Sequence, residues 1–420
     1  METTPSDITI IGAGVIGLCS AYYLQKSGLK VTVVDRTPAA DQHGCSFINC
    51  GYISPSHFVP LASPGVVVQG LKWMFNNKSP LYIKPRLDAD LMRWLWHFTL
   101  SSNQKHVDKC GQTLLDMNLA SGRLYDELAA SHGLQFELKG DGLLMLTNTK
   151  KGYNGEADVV RSANDLGLKA RMIDREEVHR MEPHMLPEVV GAAYFPEDGH
   201  IRPGQFMAQL RHLLVEAKVK FVHDEVEKVD FDASGNVLVL TTSGPVLSKK
   251  LLVASGSWSS HLVKKLGLAM PMQAGKGYSM TVSEPAYKLK HPCILTEKRV
   301  ALTPWQGALR FGGTMELSGL SLKINQNRVE AIQESSMLYL PKVTPSWFRN
   351  VQVERGLRPV SPDGMPYIGK INGSEKLFVA AGHAMLGMSM GPITGKLIAQ
   401  LVMEQTPDFE LETVRPNRFS

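Results

Sequence analysis

The sequence predicts an α/β (α+β) fold in which both ends of the chain build a Rossmann-like domain and a second domain is inserted between them. The first observation is a strand, glycine loop, helix and strand over residues 7–35. The second is a strand at residues 377–382 that runs into a glycine and is followed by a helix from about Gly391. The length of 420 residues leaves room for two domains.

The N-terminal unit carries a glycine motif in which each glycine has a steric or conformational role. Gly12 permits a tight turn, Gly14 lets the backbone approach a diphosphate, and Gly17 lets the helix pack closely on the strand. The diphosphate would lie at the helix N-terminus, where free N–H groups favour an anion. The candidate contacts are Gly12, Ala13, Gly14, Val15, Ile16 and Gly17.

Asp35 ends the second strand about 20 residues after the glycines, where a carboxylate accepts a hydrogen bond from a ribose hydroxyl. An acid at this position favours FAD or NAD over NADP, whose extra phosphate would be repelled. Arg36 is counted among the candidate cofactor contacts and is a small reservation against that preference.

Composition excludes several classes of protein. The chain is 43% hydrophobic and 20% charged, with a formal net charge of +5, which is too small and diffuse to indicate nucleic-acid binding. There is no uncharged apolar run of about 18 residues, and residues 1–6 lack the positive charge of a secretory signal. The five scattered cysteines show no metal-ligand spacing, so we expect no disulfides, no zinc or other metal, and a cytoplasmic location.

Predicted elements follow in order along the rest of the chain. Hydrophobic periodicity predicts helices over 66–101, 102–132 and 159–168, and from Pro203. Strands are predicted at 143–147, 192–195 and 249–256, with a hairpin in 219–254 that turns at 232–236, and several more strands in 271–315.

The helical segment around residues 71–98 admits two interpretations. Its aromatic and methionine side chains could form core helices of the second domain, or they could face a membrane or a quinone. The core interpretation is the plainer one, and five basic residues interspersed among the apolar ones lend support to the second. The apolar set is Trp73, Met74, Phe75, Trp94, Trp96 and Phe98, and the basic set is Lys72, Lys78, Lys84, Arg86 and Arg93.

Longer motifs make the chain resemble the FAD-dependent amine oxidoreductases of the D-amino-acid oxidase and glycine oxidase superfamily, and most closely the bacterial D-amino-acid dehydrogenases. The resemblance covers residues 7–401. Beyond the glycine motif it is carried by HGCSFINCGYISPSHFVPLASPGV, LLVASGSWS, KGYSM, RGLRPVSPDGMPYIG and AAGHAMLGMSMGPITGKLIAQL. The loop Ile48-Asn49-Cys50-Gly51 and the methionines around 385–390 depart from the family pattern, and both changes bear on substrate identity.

This resemblance implies FAD as the cofactor and a substrate domain built on a mixed, largely antiparallel sheet. Residues 1–90, 196–270 and 355–420 would form the FAD-binding domain, and residues 91–195 and 271–354 the substrate domain. The implied reaction is oxidative deamination of D-amino acids to 2-oxo acids and ammonia, by hydride transfer from the substrate Cα to FAD. The electrons would pass to a quinone or another acceptor that is not oxygen.

The resemblance also implies substrate-site residues. Arg358, in the GLRP motif, would hold the substrate carboxylate through its planar fork, although a loop residue or a structural ion pair is the plainer alternative. Arg355 is a second candidate for holding the carboxylate, but it could equally form an ion pair with the neighbouring Glu354. Tyr52 and Tyr278 are candidate carboxylate or ring contacts, with a core position as the alternative. His383 is assigned to flavin contact in preference to general-base work, and Lys276 to a surface turn.

The remaining implied contacts surround the cofactor. Loop residues after the glycine motif would face the flavin edge, Val226 would contact adenine, and small residues after the strand at 249–256 would lie against the diphosphate. Backbone N–H groups near the C-terminal glycines would stabilise negative charge on the reduced flavin. This set comprises Ser46, Asn49, Cys50, Gly51, Val226, Ala254, Gly256, Gly382, Leu386, Gly387 and Met388.

Two rivals remain open at the level of sequence. Within the same class, the enzyme could oxidise D-proline, D-hydroxyproline, glycine or sarcosine. From another class, the chain could be a non-catalytic dinucleotide-binding protein. Partners expected for the enzyme are an amino-acid substrate and a quinone-type acceptor, with peripheral contact at the inner face of the cytoplasmic membrane.

Overall fold

The structure is a computed structural model that describes residues 5–420 except 39–43, 75–77, 187 and 287. The expectation for Phe75 lies outside the described residues. The described helices are α1 (Val15–Lys26), α2 (Val66–Met74), α3 (Ala89–Ser101), α4 (Gln104–His132), α5 (Lys150–Asp165), α6 (Arg175–Met181), α7 (Pro203–Glu216), α8 (Ser259–Lys265), α9 (Gln326–Met337) and α10 (Gly391–Val402).

The described strands are β1 (Ser6–Ile11), β2 (Val31–Asp35), β3 (Tyr52–Ile53), β4 (Leu81–Ile83), β5 (Leu143–Thr147), β6 (Arg171–Asp174), β7 (Gly191–Phe195), β8 (Gly199–His200), β9 (Lys220–His223), β10 (Val226–Phe231), β11 (Val237–Thr241), β12 (Gly244–Val253), β13 (Gln273–Ser283), β14 (Cys293–Leu295), β15 (Val300–Trp305), β16 (Ala308–Leu317), β17 (Val353–Val360), β18 (Tyr367–Lys370) and β19 (Leu377–Ala381).

The first sheet has the order β10-β11-β12-β1-β2-β9, and β19 joins it along β12. The pairs β12–β1, β1–β2, β2–β9 and β12–β19 are parallel, as expected for a Rossmann-like unit with helices on its faces, and β11 pairs with β12 in the antiparallel direction. Helices α1, α4, α7 and α10 share one buried apolar core with this sheet. The N- and C-terminal units therefore meet, because α10 packs on α1 so closely that a Cβ on Gly395 would contact the Cys19 backbone.

The second sheet has the order β17-β13-β16-β15-β14-β5-β7-β6, with β4 added along β16. Most of its pairs are antiparallel, and the β14–β5 and β16–β4 pairs are parallel. The mixed, largely antiparallel sheet implied by the resemblance is thus present. Helix α9 packs over β16 and β15 and helps to bury the apolar core on that side.

Local signals explain where the helices that support the site begin and end. The Asp88 carboxylate accepts from the N–H groups of Asp90 and Leu91 at the start of α3. Asn103 caps the 29-residue helix α4 in the same way, and Gly133, with φ +62°, ends it in a left-handed conformation.

Three elements fall on the other side of the expected domain boundaries. Strand β4 lies within 1–90 but pairs with the second sheet, and β17 pairs with the second sheet although it extends past residue 355. Helix α4, expected in the substrate domain, contributes to the core of the first sheet. The partner that each of these segments pairs or packs with is distant in sequence and leaves no boundary mark there, so the two-domain division stays a prediction.

Candidate active site

The glycine loop between β1 and α1 folds as a nucleotide cradle. Gly12 has φ +112°, and a Cβ there would overlap the carbonyl oxygen of Ala254. A Cβ on Gly17 would overlap the Gly12 carbonyl oxygen, so only glycine allows α1 to approach the loop this closely. Helix α1 begins at Val15, whose N–H donates to the Ser46 hydroxyl over 3.0 Å.

Asp35 lies at the end of β2 beside this loop. Its Oδ2 accepts from the Ala13 N–H at 2.6 Å and its Oδ1 accepts from the Thr37 N–H at 2.7 Å. Each carboxylate oxygen retains a further lone pair for a ribose hydroxyl. The neighbouring Arg36 guanidinium stacks 4.1 Å from the centre of the Trp258 ring, with the Glu225 carboxylate 3.7 Å away.

A cavity of about 950 Å³ extends from this cradle to the edge of the second sheet. Its walls come from the glycine loop, the end of β2, the 44–49 loop, residues 254–258, strand β17 and the 380–388 loop. Fifteen of the predicted residues line it: Gly12, Ala13, Gly14, Val15, Ile16, Asp35, Arg36, Ser46, Asn49, Val226, Ala254, Gly256, His383, Gly387 and Met388.

Four other predicted cofactor residues lie just outside the cavity surface and shape its loops. Gly51, with φ +81°, would overlap the Ile201 carbonyl if it had a Cβ, and its N–H donates to the Asn49 side chain at 2.7 Å. The Cys50 thiol packs on Gly312 of β16. Gly382 and Leu386 belong to the turn before α10, where the Leu386 N–H donates to the His383 carbonyl.

The hydroxyls of the two predicted tyrosines bond within the protein, and neither tyrosine is among the residues that line the cavity. The Tyr52 hydroxyl lies 2.8 Å from the Cys293 carbonyl and 3.0 Å from the Leu302 carbonyl. The Tyr278 hydroxyl donates to Glu316 at 3.1 Å and accepts from the Asn325 N–H at 3.0 Å. Both hydroxyls bond to groups in or beside the second sheet. Successive residues of a strand face opposite sides, and the sequence did not reveal which side each tyrosine would face.

Lys276 is also not in a surface turn. It lies in β13 with a side chain only 2% exposed, and its ammonium is 3.2 Å from the Glu316 carboxylate. The ammonium also donates to the Lys323 carbonyl at 2.7 Å. The Lys276 charge is therefore paired within the protein, away from the cavity.

Arg358 lies on the edge strand β17 and not in the turn-rich loop expected from its sequence. Its guanidinium rests on Gly277 of β13, where any Cβ would overlap it. One N–H, on Nη1, donates to the Thr314 carbonyl over 2.7 Å. Among the described residues no carboxylate forms an ion pair with Arg358, because Glu354, on the same face of the strand, pairs with Arg310 at 2.9 Å.

Arg358 does not itself line the cavity, but it lies among residues that do. Its strand neighbours Gly356, Leu357 and Pro359 line the cavity, and a Cβ on Gly356 would contact the Cys45 backbone. Burial raises the pKa of the Cys45 and Cys50 thiols, and the Arg358 charge opposes that effect at both. The thiols are therefore neutral small groups beside a cation, as expected for packing residues. Arg355 is exposed and lines the cavity, and its expected partner Glu354 pairs instead with Arg310.

His383 faces the cavity from the opposite wall. Its side chain is 3% exposed, and burial lowers its pKa to about 3, so the imidazole is neutral. Nε2 lies 3.0 Å from the Thr394 hydroxyl, whereas Nδ1 is buried and has no hydrogen-bond partner in the described part of the chain. Such an orphaned polar atom beside a nucleotide cavity fits a bound cofactor that completes its hydrogen bonding.

Sequence reasoning missed four residues that complete this arrangement. Trp258 stacks on Arg36, Arg310 neutralises Glu354, Gly277 forms the floor under Arg358, and Thr314 accepts its hydrogen bond. Gly277 lies inside the quoted motif KGYSM and Trp258 inside LLVASGSWS, and neither motif gave these two residues a role. Elsewhere in the described chain, no group of three or more histidine, cysteine or acidic side chains is placed to hold a metal ion.

Comparison with known proteins agrees with this geometry. The family model described as FAD dependent oxidoreductase matches residues 7–401. The chain is 31% identical to a D-amino acid dehydrogenase of Rhizobium rhizogenes, over 94% of this chain and 95% of that protein. It is 30% identical to the D-amino acid dehydrogenase of Vibrio atlanticus, over 98% of this chain and 100% of that protein.

Among solved structures, glycine oxidase from Geobacillus kaustophilus superposes with a TM-score of 0.80 over 99% of both chains, at 22% identity. That likeness shows the fold. The glycine cradle, the placement of Asp35 and the orphaned His383 nitrogen all fit FAD. The chain therefore belongs to the DAO family of FAD-dependent oxidoreductases and is an FAD-dependent enzyme.

Proposed function

We propose that this enzyme oxidises D-amino acids to imino acids, which water then converts to 2-oxo acids and ammonia. The observation that carries the proposal is the Arg358 guanidinium, which adjoins the cofactor cavity and has no carboxylate partner among the described residues. A half-buried cation without a counterion is stabilised when a substrate supplies the anion. The assignment of the D configuration to the substrate rests on the two relatives, both named D-amino acid dehydrogenase.

Arg358 is suited to hold a carboxylate in one orientation. Its Nη1 is fixed by the Thr314 carbonyl and its plane by Gly277, so the remaining N–H groups offer a fork of defined direction. When bound, FAD would supply the two-electron acceptor for the hydride that leaves the substrate Cα. Holding the carboxylate fixes where that Cα lies, and orientation alone can supply effective molarities of about 10⁵ M or more.

No strong base is required beside the substrate. The neutral His383 imidazole is held by Thr394 and faces the cavity, which suits contact with the flavin. The amine would enter in its neutral form. The backbone of the 382–388 loop supplies N–H groups near the cavity, which can stabilise negative charge on the reduced cofactor.

A panel of substrates tests the proposal. The purified protein would be assayed with D- and L-amino acids, D-proline, glycine and sarcosine, with an artificial dye as acceptor. We expect the highest kcat/KM with a D-amino acid. Preference for glycine or sarcosine would support the rival suggested by the likeness to glycine oxidase, and preference for an L-amino acid would overturn the assignment.

We also propose that helix α3 meets the electron acceptor at a membrane surface. Leu91, Trp94 and Phe98 are buried on one side of α3, as the core interpretation of this segment expects. On the other side Met92, Trp96 and Leu100 are each more than half exposed and recur at helical spacing. No helix of the described chain is long and apolar enough to cross a membrane, so this contact would be peripheral.

Vesicle co-sedimentation tests this contact. We expect the protein to bind vesicles that contain anionic lipids, and Trp96→Ser to weaken binding. Phe231→Ser is the matched control, because Phe231 is an exposed aromatic residue on β10 of the first sheet. Equal binding by both variants and the unmutated protein would contradict a role for α3.

A further inference from the structure

Thr314 combines an unusual backbone with a buried hydroxyl that has no partner. Its φ is +61°, in the left-handed region that β-branched residues rarely adopt. The residue is 8% exposed, and its Oγ1 has no hydrogen-bond partner among the residues that the structure describes. Strained backbone and unsatisfied buried polar groups persist mainly where function maintains them.

The pairing of the strands around Thr314 explains why its polar groups take no part in the hydrogen-bond ladder between strands. Strand β16 pairs with β15 as far as Gly313 and with β4 from Met315 onward, so Thr314 lies at the change of partner. The register with β13 also shifts here, between Lys276 and Tyr278. Such bulges occur near active sites, where they redirect a side chain.

Arg358 is the functional group that Thr314 contacts. The Thr314 carbonyl accepts from Arg358 Nη1 at 2.7 Å, and the guanidinium lies on Gly277 of the intervening strand. Thr314 therefore offers its carbonyl to this cation, and the same residue carries a hydroxyl that has no partner among the described residues. The carbonyl is fixed to the arginine, which leaves the hydroxyl as a group for a ligand.

We propose that Thr314 is a substrate-positioning residue. Its carbonyl sets the orientation of the Arg358 fork, and its hydroxyl donates a hydrogen bond to the substrate carboxylate that the arginine holds. A hydroxyl can donate one hydrogen bond, and a carboxylate oxygen accepts it while also accepting from arginine. This inference rests on the proposed function, because it assigns a second ligand to the same carboxylate.

The test uses the FAD-loaded enzyme and benzoate, a carboxylate that the enzyme cannot oxidise at an α-carbon. Binding is measured through the perturbation of the flavin absorption spectrum. Thr314→Val keeps the branched shape without the hydroxyl, and Thr314→Ser keeps the hydroxyl. We expect valine to weaken benzoate binding by roughly tenfold or more, as for a lost hydrogen bond to a charged group, and serine to retain most of the affinity.

Kinetics and stability give independent readouts. Thr314→Val should raise KM for the D-amino acid more than it lowers kcat, and should leave the decarboxylated amine unaffected. Its thermal midpoint should equal or exceed that of the unmutated protein, because valine removes an unpartnered buried hydroxyl. Thr314→Ala serves as a second hydroxyl-free variant if valine prevents folding.

Three results would overturn the inference. They are unchanged benzoate affinity in a folded hydroxyl-free variant, equal weakening by valine and serine, and an equal effect on the amine. Arg358→Ala, measured in parallel, separates this failure from that of the proposed function. If Arg358→Ala weakens benzoate binding and Thr314→Val does not, only the role of Thr314 is refuted. If Arg358→Ala has no effect, the carboxylate site itself is refuted.

Discussion

Replacing Arg358 is the most informative perturbation of the proposed site. Arg358→Ala removes a fork of five N–H donors, of which only one N–H is seen to be used, by the Thr314 carbonyl. The rest are available to a carboxylate. Truncating one partner of a buried, hydrogen-bonded charge pair costs about 2–5 kcal/mol, so kcat/KM on a D-amino acid should fall roughly 30- to 5000-fold.

Arg358→Lys separates charge from geometry. Lysine keeps the positive charge but presents a point donor in place of a planar fork, so it should recover only part of the loss. Relative to the unmutated enzyme, we expect a deficit of about 1.5–3 kcal/mol, the range for a hydrogen bond to a charged group. FAD content should stay nearly unchanged in both variants, since the guanidinium is held by Thr314 and Gly277 at the edge of the cavity.

The assay compares a D-amino acid with its decarboxylated amine for each protein. The structural reasoning predicts a large loss on the amino acid and a small one on the amine, which lacks the group that Arg358 holds. An equal loss on both substrates would refute the reasoning, because it would mean that Arg358 supports the sheet or the flavin. Arg355, which lines the cavity, would then be the next candidate.

Three further outcomes are expected. Asp35→Asn should weaken FAD retention by about 1.5–3 kcal/mol, measured by equilibrium dialysis of the cofactor, and unchanged retention would exclude a ribose contact. With a D-amino acid in air, dye or quinone reduction should be fast and peroxide formation slow; stoichiometric peroxide at the full rate would make the enzyme an oxidase. Burial raises the pKa of Asp198 to about 7, so its folded state holds a proton that the unfolded chain releases above about pH 4. Its contribution to stability is therefore present below pH 4 and lost as pH rises to 7, and Asp198→Asn should gain stability over the unmutated protein by up to about 4 kcal/mol across that window. Urea unfolding at several pH values measures this difference, and a difference independent of pH would contradict it.

The sequence was sufficient for the nucleotide cradle because its geometry is local. The roles of Gly12 and Gly17 follow from steric limits within one turn, and Asp35 ends the adjacent strand. The strand at 143–147 and the helix from Pro203 were also predicted at their observed positions, since their hydrophobic periods are uninterrupted.

The substrate side depended on contacts between distant strands, which single-residue patterns do not encode. In β13, Gly277 faces Arg358 while Lys276 and Tyr278 face the opposite side, and a motif alone gave no reason to choose between the faces. The pairing of Glu354 with Arg310 joins residues 44 positions apart. Thr314 was invisible to sequence reasoning, because a positive φ at a threonine results from the bulge and not from the residue type.

Anaerobic reduction of the enzyme-bound FAD by substrate is the most direct test of the central claim. The purified yellow protein would be mixed with a D-amino acid in the absence of oxygen and dye, and the flavin absorbance followed together with the 2-oxo acid formed. The account predicts that the flavin is bleached by the D enantiomer, with one 2-oxo acid produced for each FAD reduced. Bleaching by the L enantiomer in preference to the D, or by no amino acid at all, would contradict it.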